Sequence, residues 1–451
     1  MYVHNDFFAL KWGFLCKMLY LCMHNRNAMR VLIVNTSERT GGAAVAANRL
    51  KDALNNNGVK AKMLVRDKTT DDITVVGIGG GWRSHLFFLW ERWCVFWHLR
   101  FNKKHLFEID IANIGHDITS LPEFKEADVI HLHWINQGML SLRGIRKILD
   151  SGKPVVWTMH DIWPATSFCH VTLDCRNYER QCGQCRYLCG KSSIKDYSAK
   201  IWRRKQRILQ GQIIHFVACS RWLAGAARRS GLLERQRVES IPNAIDTKIY
   251  HPKNREQARQ RLQLPQDKRL ILFVAQRVTN TNKGIQYLID ACSKLVADYP
   301  EMAESTGMLL LGGHAEELED RFPLPVYPLG YVNEESRIVD VYSAADVFVM
   351  PSLSENLPNT IMEAMACGIP CVGFRVGGIP EMIVHQKTGY VAEYKNADDL
   401  AKGIRWALDA APEQICSNAT RKVAQEYSQS VVAKEYIEVY NEAMALKNYK
   451  L

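Results

Sequence analysis

Two glutamates that lie eight positions apart, Glu355 and Glu363, are the residues whose type and spacing best suit chemistry on a ligand. The apolar run 346–350 before them predicts a buried strand. Pro358 suits the first turn of a helix, where its missing N–H costs nothing, and Gly368 suits the end of that helix. Glu355 is therefore expected in a loop, and Glu363 inside the helix. Because the N–H groups of a first helical turn favour phosphate, the segment indicates a sugar-nucleotide site. Two solvated glutamates on a surface helix are the alternative.

Two cations, Arg277 and Lys283, follow another predicted strand, residues 269–274. Positive charge at a strand end could neutralise a diphosphate, which gains negative charge when it leaves a sugar. A helix should begin just after Lys283, because apolar residues recur at helical spacing from Ile285 onwards. The pair therefore indicates a diphosphate site, and two solvated loop cations are the other interpretation.

Two further motifs follow strands predicted in the first half of the chain. Gly41 and Gly42 come after the apolar run 31–34 and would let the backbone approach an anionic ligand at a helix N-terminus. His160 ends a second apolar run and could hydrogen-bond a sugar hydroxyl, unless Asp161 holds it in a structural role. The sequence shows no pair of carboxylates placed as in a glycosidase.

Four of the five cysteines in one predicted loop, residues 162–191, form a candidate metal site, and two of them belong to the motif Cys182-Gly-Gln-Cys185. Cys169 and Cys175 precede this motif. Four thiolates, or three of them with His170, are a donor set that could hold a tetrahedral zinc ion. Free thiols, or a pair that can form a disulfide, are the alternatives. Any zinc in this loop is expected to be structural.

The elements that would position these residues alternate between strands and helices. Apolar runs without alternation suit parallel strands that are covered on both faces. The predicted strands are residues 31–34, 62–66, 129–132, 155–159 and 216–220 in a first set, and 269–274, 308–311, 326–328, 347–350 and 371–374 in a second. The polar segment 254–267 separates the two sets. The sequence therefore predicts two doubly wound α/β domains, with ligands bound at the carboxyl ends of the strands.

A series of motifs in order resembles those of the retaining glycosyltransferases of family 4, which have the GT-B fold. Within the family, the chain resembles bacterial glycosyltransferases of the exopolysaccharide and colanic-acid type. The motifs are Met29-Arg-Val-Leu-Ile-Val34, Thr158-Met-His-Asp161, Ile241-Pro-Asn-Ala-Ile-Asp246, Leu329-Gly-Tyr-Val332, Tyr342-Ser-Ala-Ala-Asp-Val-Phe-Val-Met-Pro-Ser352, the segment 355–363 and Gly377-Gly-Ile-Pro-Glu381. The resemblance implies two Rossmann-like domains that face a central cleft.

The expected organisation of the chain follows from the same resemblance. Residues 29–245 would form the acceptor-side domain, with a Cys-rich insert at 162–191. Residues 246–429 would form the nucleotide-sugar domain, and residues 430–451 a helix that returns to the first domain. Residues 1–28 precede the first strand and are expected to be an extension from an upstream start codon or a weak interfacial helix.

The resemblance also implies a role for each candidate site residue. His160 would contact the donor sugar, and Arg277 and Lys283 the diphosphate, although the loop that joins these cations is slightly longer here than in the family. Glu355 would stabilise the donor sugar or the diphosphate, and Glu363 would hold the ribose hydroxyls. The other candidates for donor binding are Gly41, Gly42, Val332, Asn359 and Thr360, with the base near Val332. The family reaction is front-face retention, which needs neither a protein nucleophile nor a cofactor.

The composition is that of a globular protein with a basic surface. Hydrophobic residues make up 47% of the chain and charged residues 23%, and the formal net charge is +11. Many of the 13 cysteines are single residues in apolar segments, which favours a reducing, cytoplasmic compartment. Aromatic and basic residues are interleaved over 82–107, and no nucleic-acid motif is present. An anionic membrane surface is therefore the expected partner, although an amphipathic core helix would show the same pattern.

These patterns predict an enzyme that moves a sugar from a nucleotide-diphosphate sugar to a hydroxyl of a lipid-linked or growing polysaccharide acceptor. It would act as a peripheral protein on the inner face of the cell membrane. A sugar-nucleotide epimerase of the same fold and an inactive scaffold that binds membrane or polysaccharide are the alternatives. The epimerase would need acid and base groups at the sugar, whereas the scaffold would not need Glu355, Glu363 and Lys283.

Overall fold

The structure is a computed structural model, and it describes residues 28–79, 81–188, 193–410 and 412–448. The predicted N-terminal extension, residues 1–28, lies outside these ranges except for Ala28. The end of the predicted Cys-rich insert lies outside them as well.

Two sheets, each with all its strands parallel, organise the described residues. The strands of the first sheet are β1 (Arg30–Ser37), β2 (Lys60–Asp67), β3 (Val75–Gly77), β4 (Val129–Leu132), β5 (Val155–Met159), β6 (His215–Ala218) and β7 (Arg237–Ser240), in the spatial order β3-β2-β1-β4-β5-β6-β7. The strands of the second sheet are β8 (Arg269–Arg277), β9 (Thr306–Gly313), β10 (Val326–Pro328), β11 (Val347–Met350), β12 (Cys371–Phe374) and β13 (Gly389–Ala392), in the order β10-β9-β8-β11-β12-β13. The prediction of two doubly wound parallel sheets is confirmed.

Helices follow most of the strands. In the described part of the first half they are α1 (Gly42–Asn56), α2 (Gly81–His98), α3 (Pro122–Glu126), α4 (Leu142–Asp150), α5 (Tyr197–Leu209) and α6 (Arg221–Arg228). In the described part of the second half they are α7 (Arg255–Leu262), α8 (Ile285–Asp298), α9 (Met302–Ser305), α10 (Glu335–Ala344), α11 (Asn359–Ala366), α12 (Ile379–Met382), α13 (Ala397–Asp409), α14 (Pro412–Glu426) and α15 (Gln429–Asn448).

The strands of the first sheet are covered on both faces, as parallel strands usually are. Successive side chains of a strand point to opposite faces. Leu32 and Val34 accordingly pack into one apolar cluster, and Val31 and Ile33 pack into another. This two-sided burial explains why the strands appear in the sequence as continuous apolar runs.

The sequence patterns did not predict three of the strands, β3, β7 and β13. All three are edge strands of their sheets and have only three or four residues. An edge strand has a neighbour on one side only, so it is shorter and more polar than a central strand. Strand β7, for example, includes Arg237 and Glu239, and none of its four residues is fully buried.

The last helix, α15, packs on the first sheet although the chain reaches it after completing the second. Its Tyr440 hydroxyl is 2.7 Å from Nδ1 of His131 in β4. Nε2 of His131 is 2.8 Å from the hydroxyl of Thr158, which is also 2.8 Å from the Tyr436 hydroxyl. All four side chains are buried. The helix is therefore held by apolar packing and by a buried polar network whose members are paired.

We expect Tyr440→Phe to destabilise the protein by about 1–3 kcal/mol, because it leaves Nδ1 of His131 buried without its partner. Tyr440→Ala should cost more, about 3–5 kcal/mol, since it also opens a cavity. Urea unfolding followed by circular dichroism measures both changes. Tyr299→Phe, at a partly exposed tyrosine, is the matched control and should shift stability by less than about 0.5 kcal/mol. Equal midpoints for Tyr440→Phe and the parent protein would contradict the anchoring role.

Candidate active site

A cavity of about 400 Å³ lies between the carboxyl ends of the two sheets. Loops that follow β1, β5, β6, β8 and β11 form its walls. The predicted site residues that line it are Gly41, Gly42, His160, Lys283, Glu355, Asn359 and Thr360. Ligands of open α/β sheets bind at this end of the strands. The structure therefore brings together, in one cavity, residues that are up to 319 positions apart in the sequence, from Gly41 to Thr360.

Lys283 and Glu355 form an ion pair at this cavity. The Lys283 side chain is 32% exposed and that of Glu355 is 13% exposed, so the ammonium group remains accessible from the cavity. Gly284 follows Lys283 with a φ of +74°, and a Cβ there would stand 1.8 Å from the carbonyl oxygen of Pro351. Only glycine fits this position, and its close approach to the strand end is what brings Lys283 to Glu355.

Arg277, Val332 and Glu363 are predicted site residues that do not line the cavity. Arg277 is exposed at the end of β8, where its Nε donates to the Thr279 hydroxyl at 3.0 Å. Val332 is partly buried beside Tyr331, and Tyr331 is the residue of this loop that lines the cavity. The predicted roles of Arg277 and Val332 in donor binding stay predictions.

Glu363 lies inside α11, as predicted, but both of its carboxylate oxygens are engaged by the protein. Nη2 of Arg49 in α1 donates to Oε1 at 2.7 Å, and the Tyr342 hydroxyl donates to Oε2 at 2.8 Å. The guanidinium group of Arg49 also lies over the ring of Tyr250, 4.8 Å from its centre. Glu363 is only 8% exposed. This carboxylate therefore joins the two domains, and its predicted contact with ribose stays a prediction.

His160 is held by residues other than Asp161. Its Nε2 is 2.9 Å from Nδ1 of His133, and its Nδ1 is 3.4 Å from the sulfur of Cys219. Burial lowers the pKa of His160 to about 4, against the opposing effect of the Asp161 charge. The imidazole is therefore neutral near pH 7, which suits a hydrogen bond to a hydroxyl better than the neutralisation of a phosphate.

Asp161 holds the loop that contains the predicted zinc ligands. Its carboxylate accepts from Nε1 of Trp134 at 3.0 Å and from the backbone N–H of Trp163 at 2.8 Å. It also lies 2.8 Å from Nδ1 of His170, whose Nε2 is 2.6 Å from Asp110. Burial alone would lower the pKa of His170, but the charges and hydrogen bonds of the two aspartates raise it to about 10. Because both ring nitrogens are occupied, His170 is not free to bind a metal in this arrangement.

Cys169, Cys175, Cys182 and Cys185 line a second, much smaller cavity, of about 20 Å³. Their side chains surround this space without converging on one point. Among the residues that the structure describes, no three His, Cys, Asp or Glu side chains already form a group that could hold a metal ion.

Sequence reasoning missed several polar residues that connect the two walls of the cleft. The Asn356 side chain lies 2.5 Å from the Ser220 hydroxyl and donates to the carbonyl oxygen of His160 at 3.2 Å. Asn243 donates to Asn359 at 2.9 Å, and Asn359 donates to the carbonyl oxygen of Gly42 at 3.1 Å. Asn356 and Asn243 do lie within motifs of the family resemblance, which is the signal that could have identified them.

The aromatic stretch of the first domain forms helix α2 and the loop after it. Large apolar side chains at least 47% exposed form its outer side, which we call the aromatic surface: Trp82, Leu86, Leu89, Trp90, Trp93, Trp97, Phe101 and Phe107. Glu91 and Arg92 face the interior instead, where Glu91 accepts from the backbone N–H of Ala112 and Arg92 pairs with Asp110. The helix therefore turns Glu91 and Arg92 inward and its tryptophans outward, and the alternative of a core helix is wrong for Trp93 and Trp97.

Comparison with known proteins identifies two regions of the chain. Residues 40–249 match the family described as Glycosyltransferase Family 4, and residues 268–410 match the family described as Glycosyl transferases group 1. An uncharacterized glycosyltransferase of Methanocaldococcus jannaschii is 35% identical over 184 residues, which are 40% of this chain and 46% of that protein. The chain spans about half the length of the curated relatives it matches.

Solved glycosyltransferase structures share the two-domain arrangement. Sucrose-phosphate synthase of Thermosynechococcus elongatus superposes with a TM-score of 0.63 at 19% identity, covering 93% of this chain and 100% of that one. HepE of Anabaena, solved in complex with UDP-glucose, superposes with a TM-score of 0.59 at 17% identity, covering 92% and 100%. At these identities the likeness shows the fold, and it confirms the predicted GT-B architecture.

We expect Arg49→Met to destabilise the protein by about 3–5 kcal/mol, because it leaves the Glu363 carboxylate buried without its cation. Adding Glu363→Gln should recover much of that loss, since the uncompensated charge is then gone. The shift of the urea unfolding midpoint measures both effects, and Arg143→Met, at an exposed arginine of α4, is the matched control.

Additive effects of the two substitutions would show that Arg49 and Glu363 do not interact, because a double-mutant cycle isolates their coupling energy.

Proposed function

This chain belongs to the family 4 glycosyltransferases of the GT-B fold, and we propose that it transfers a sugar from a nucleotide diphosphate to a hydroxyl group. The sugar would keep its anomeric configuration. The acceptor would be a lipid-linked sugar or a growing polysaccharide at the inner face of the cell membrane. The observation that carries the proposal is the convergence of Lys283, Glu355, His160 and two helix N-termini on one cavity.

The two helix N-termini are those of α1 and α11. Gly41 caps α1 and Pro358 caps α11, and neither offers a side chain that bonds the free N–H groups of the first turn. Helices α4, α5, α6, α7 and α13 have a side-chain cap at that end, whereas α3, α8, α9, α10 and α12 also lack one. Uncapped N–H groups and the positive end of the helix dipole favour an anion. Two such ends at one cavity suit a diphosphate.

The chemistry assigned to this site needs no protein nucleophile. The bond between the anomeric carbon and the diphosphate oxygen breaks, and the anomeric carbon bonds to the acceptor oxygen on the same face. The acceptor proton passes to the departing diphosphate oxygen. Lys283 and the helix ends would stabilise the negative charge that develops on this leaving group. Glu355 would hold Lys283 in place. The ring nitrogens of the neutral His160 lie beside His133 and Cys219, so one of these contacts would have to be exchanged for a hydrogen bond to a sugar hydroxyl.

A screen of nucleotide sugars by thermal shift, followed by transfer assays, tests this function. A ligand that binds the folded state alone raises the unfolding temperature by mass action. UDP-glucose is the first donor to include, because the solved HepE structure contains it. Stabilisation by a nucleotide sugar and glycosylation of an added acceptor would support the proposal. Conversion of the donor to its epimer without an acceptor would favour the epimerase instead.

We expect Lys283→Ala to lower the transfer rate at saturating donor by about tenfold or more, or ~1.4 kcal/mol of transition-state stabilisation. The leaving group loses its cation, whereas the fold loses only a partly exposed ion pair. Lys294→Ala, at an exposed lysine of α8 that pairs with Asp298, is the matched control and should leave the rate unchanged. A loss below about threefold, or roughly 0.7 kcal/mol, would mean that Lys283 is only a surface charge.

The aromatic surface supports the membrane part of the proposal. Exposed tryptophans and leucines of α2 lie beside basic residues, including Arg100, Lys103 and Lys104, all of which are exposed. Amphipathic tryptophan rings suit the lipid–water interface, and basic residues are attracted to anionic headgroups. None of the described helices is long and apolar enough to cross a membrane. The aromatic surface would therefore lie in the interface and bring the cleft towards a lipid-linked acceptor.

We expect the protein to float with anionic liposomes at low salt and to be released as salt rises, because each basic residue near the surface contributes about 1 kcal/mol that salt screens. Trp93→Ser with Trp97→Ser should reduce flotation while circular dichroism shows an intact fold, since these side chains are 51% and 60% exposed. Trp222→Ser, at an exposed tryptophan of α6, is the matched control. Absence of flotation in every lipid would argue for an acceptor in solution.

A further inference from the structure

The Cys-rich insert brings four thiols to one small space. Cys169, Cys175, Cys182 and Cys185 come from different turns of the loop between β5 and α5, and all four line the cavity of about 20 Å³. All four are free thiols. A single water molecule needs about 10–15 Å³ of such space. The cavity is therefore large enough for one ion and too small for a substrate.

We propose that this insert binds one zinc ion through the sulfurs of Cys169, Cys175, Cys182 and Cys185, as a closed structural site. Four thiolates make a tetrahedral site of the kind that zinc prefers, with Zn–S distances of about 2.3 Å. His170 is left out of the donor set because Asp110 and Asp161 occupy both of its ring nitrogens. Four protein ligands leave no open position for a substrate, so the metal takes no part in the transfer reaction.

Metal binding requires the four thiols to turn towards the centre of the cavity, because no three of the described ligand-type side chains already meet. The loop can permit this movement. From Cys169 to Cys185 its regular structure is one short 3-10 helix, Asn177–Glu179, and an isolated bridge between Cys169 and Ile109, so Cys175, Cys182 and Cys185 lie outside regular elements. A rotation about the Cα–Cβ bond changes the direction of a thiol without moving the backbone.

The surroundings of the cysteines suit an anionic metal centre. Backbone N–H groups of Ser167 and Tyr187 form hydrogen bonds to the side chains of Cys182 and Cys185. Burial raises the pKa of both thiols, to about 11 for Cys182 and about 12 for Cys185, and these N–H groups favour the thiolate against that effect. Lys205 is buried beneath the insert, where its ammonium group donates to the carbonyl oxygens of Trp163 and Thr166. One Zn²⁺ with four thiolates has a net charge of −2, and this charge would favour the ammonium form of Lys205, whose pKa burial lowers to about 7.

The proposed site would support one wall of the cleft. Cys169 precedes His170, and His170 joins Asp110 to Asp161. Asp161 in turn follows His160, which lines the cavity between the sheets. Loss of zinc should therefore loosen the loop and misplace His160. This last consequence rests on the proposed function, whereas the presence of the metal does not.

Elemental analysis of the full chain, purified without added metal and without a histidine tag, tests the proposal directly. About one zinc per chain is expected, and Cys185→Ser should lower it at least severalfold. Cys292→Ser, at a cysteine buried in α8 of the other domain, is the matched control and should retain the zinc. Limited proteolysis should cut the insert faster in Cys185→Ser than in the control.

Cobalt substitution of the parent protein keeps the proposal testable even if Cys185→Ser does not fold. A tetrahedral site with four thiolates should give intense visible ligand-field bands and sulfur-to-metal charge-transfer bands, and zinc should displace the cobalt. A metal-free protein, a disulfide among these cysteines, or a cobalt spectrum typical of oxygen and nitrogen ligands would overturn the proposal. Because none of these measurements uses transferase activity, failure of the proposed function would leave their result intact.

Discussion

Two helix N-termini that lie at the same cavity are the constraint on which the site depends. The first turns of α1 and α11 both carry partial positive charge, so their approach is unfavourable unless something compensates for it. Asn359 supplies one direct link, from its side chain to the carbonyl oxygen of Gly42, and Asn243 holds Asn359 in turn. An anion bound between the two helix N-termini would neutralise the rest of their partial positive charge. The diphosphate of the proposed donor would supply such an anion.

The ion pair between Arg49 and Glu363 fixes how far apart these two helices can stand. It is nearly excluded from water, and a buried charge without its partner costs several kcal/mol. The Tyr342 hydroxyl donates a hydrogen bond to the second carboxylate oxygen of Glu363, and the Arg49 guanidinium group lies over the ring of Tyr250. The domains are thus joined, outside the cavity lining, by buried groups that tolerate little displacement. Lys283 and Glu355 line the cavity itself. In the proposed reaction, the buried ion pair would keep the two helices in fixed positions, and the open cavity would let the donor reach Lys283.

How far the sequence predicts this site depends on how close each residue's partner lies along the chain. His160 ends an apolar run, and Glu355 and Lys283 stand in the loops that follow two others, so the rule that ligands bind at the carboxyl ends of parallel strands indicated them, together with the family resemblance. Arg49 was missed because its partner, Glu363, is 314 positions away, where one sequence carries no signal, whereas Asn356 lies within a motif of the family resemblance and was overlooked there. The edge strands β3, β7 and β13 were missed as well. Strand β7 lacks the apolar run that marks a central strand, whereas β3 and β13 are short apolar strands that each include a glycine.

Helix α2 shows a case in which the sequence pattern leaves two structures open and one buried carboxylate decides between them. Asp110 is fully buried and accepts from both Arg92 and His170. A buried carboxylate is costly unless it is paired with a cation. Arg92 can pair with Asp110 only if the face of α2 that carries Arg92 is turned towards the interior. The tryptophans of the same helix must then face out. The exposure of the aromatic surface is therefore a consequence of the interior electrostatics, and the same aspartate connects that surface, through His170 and Asp161, to the wall of the cleft.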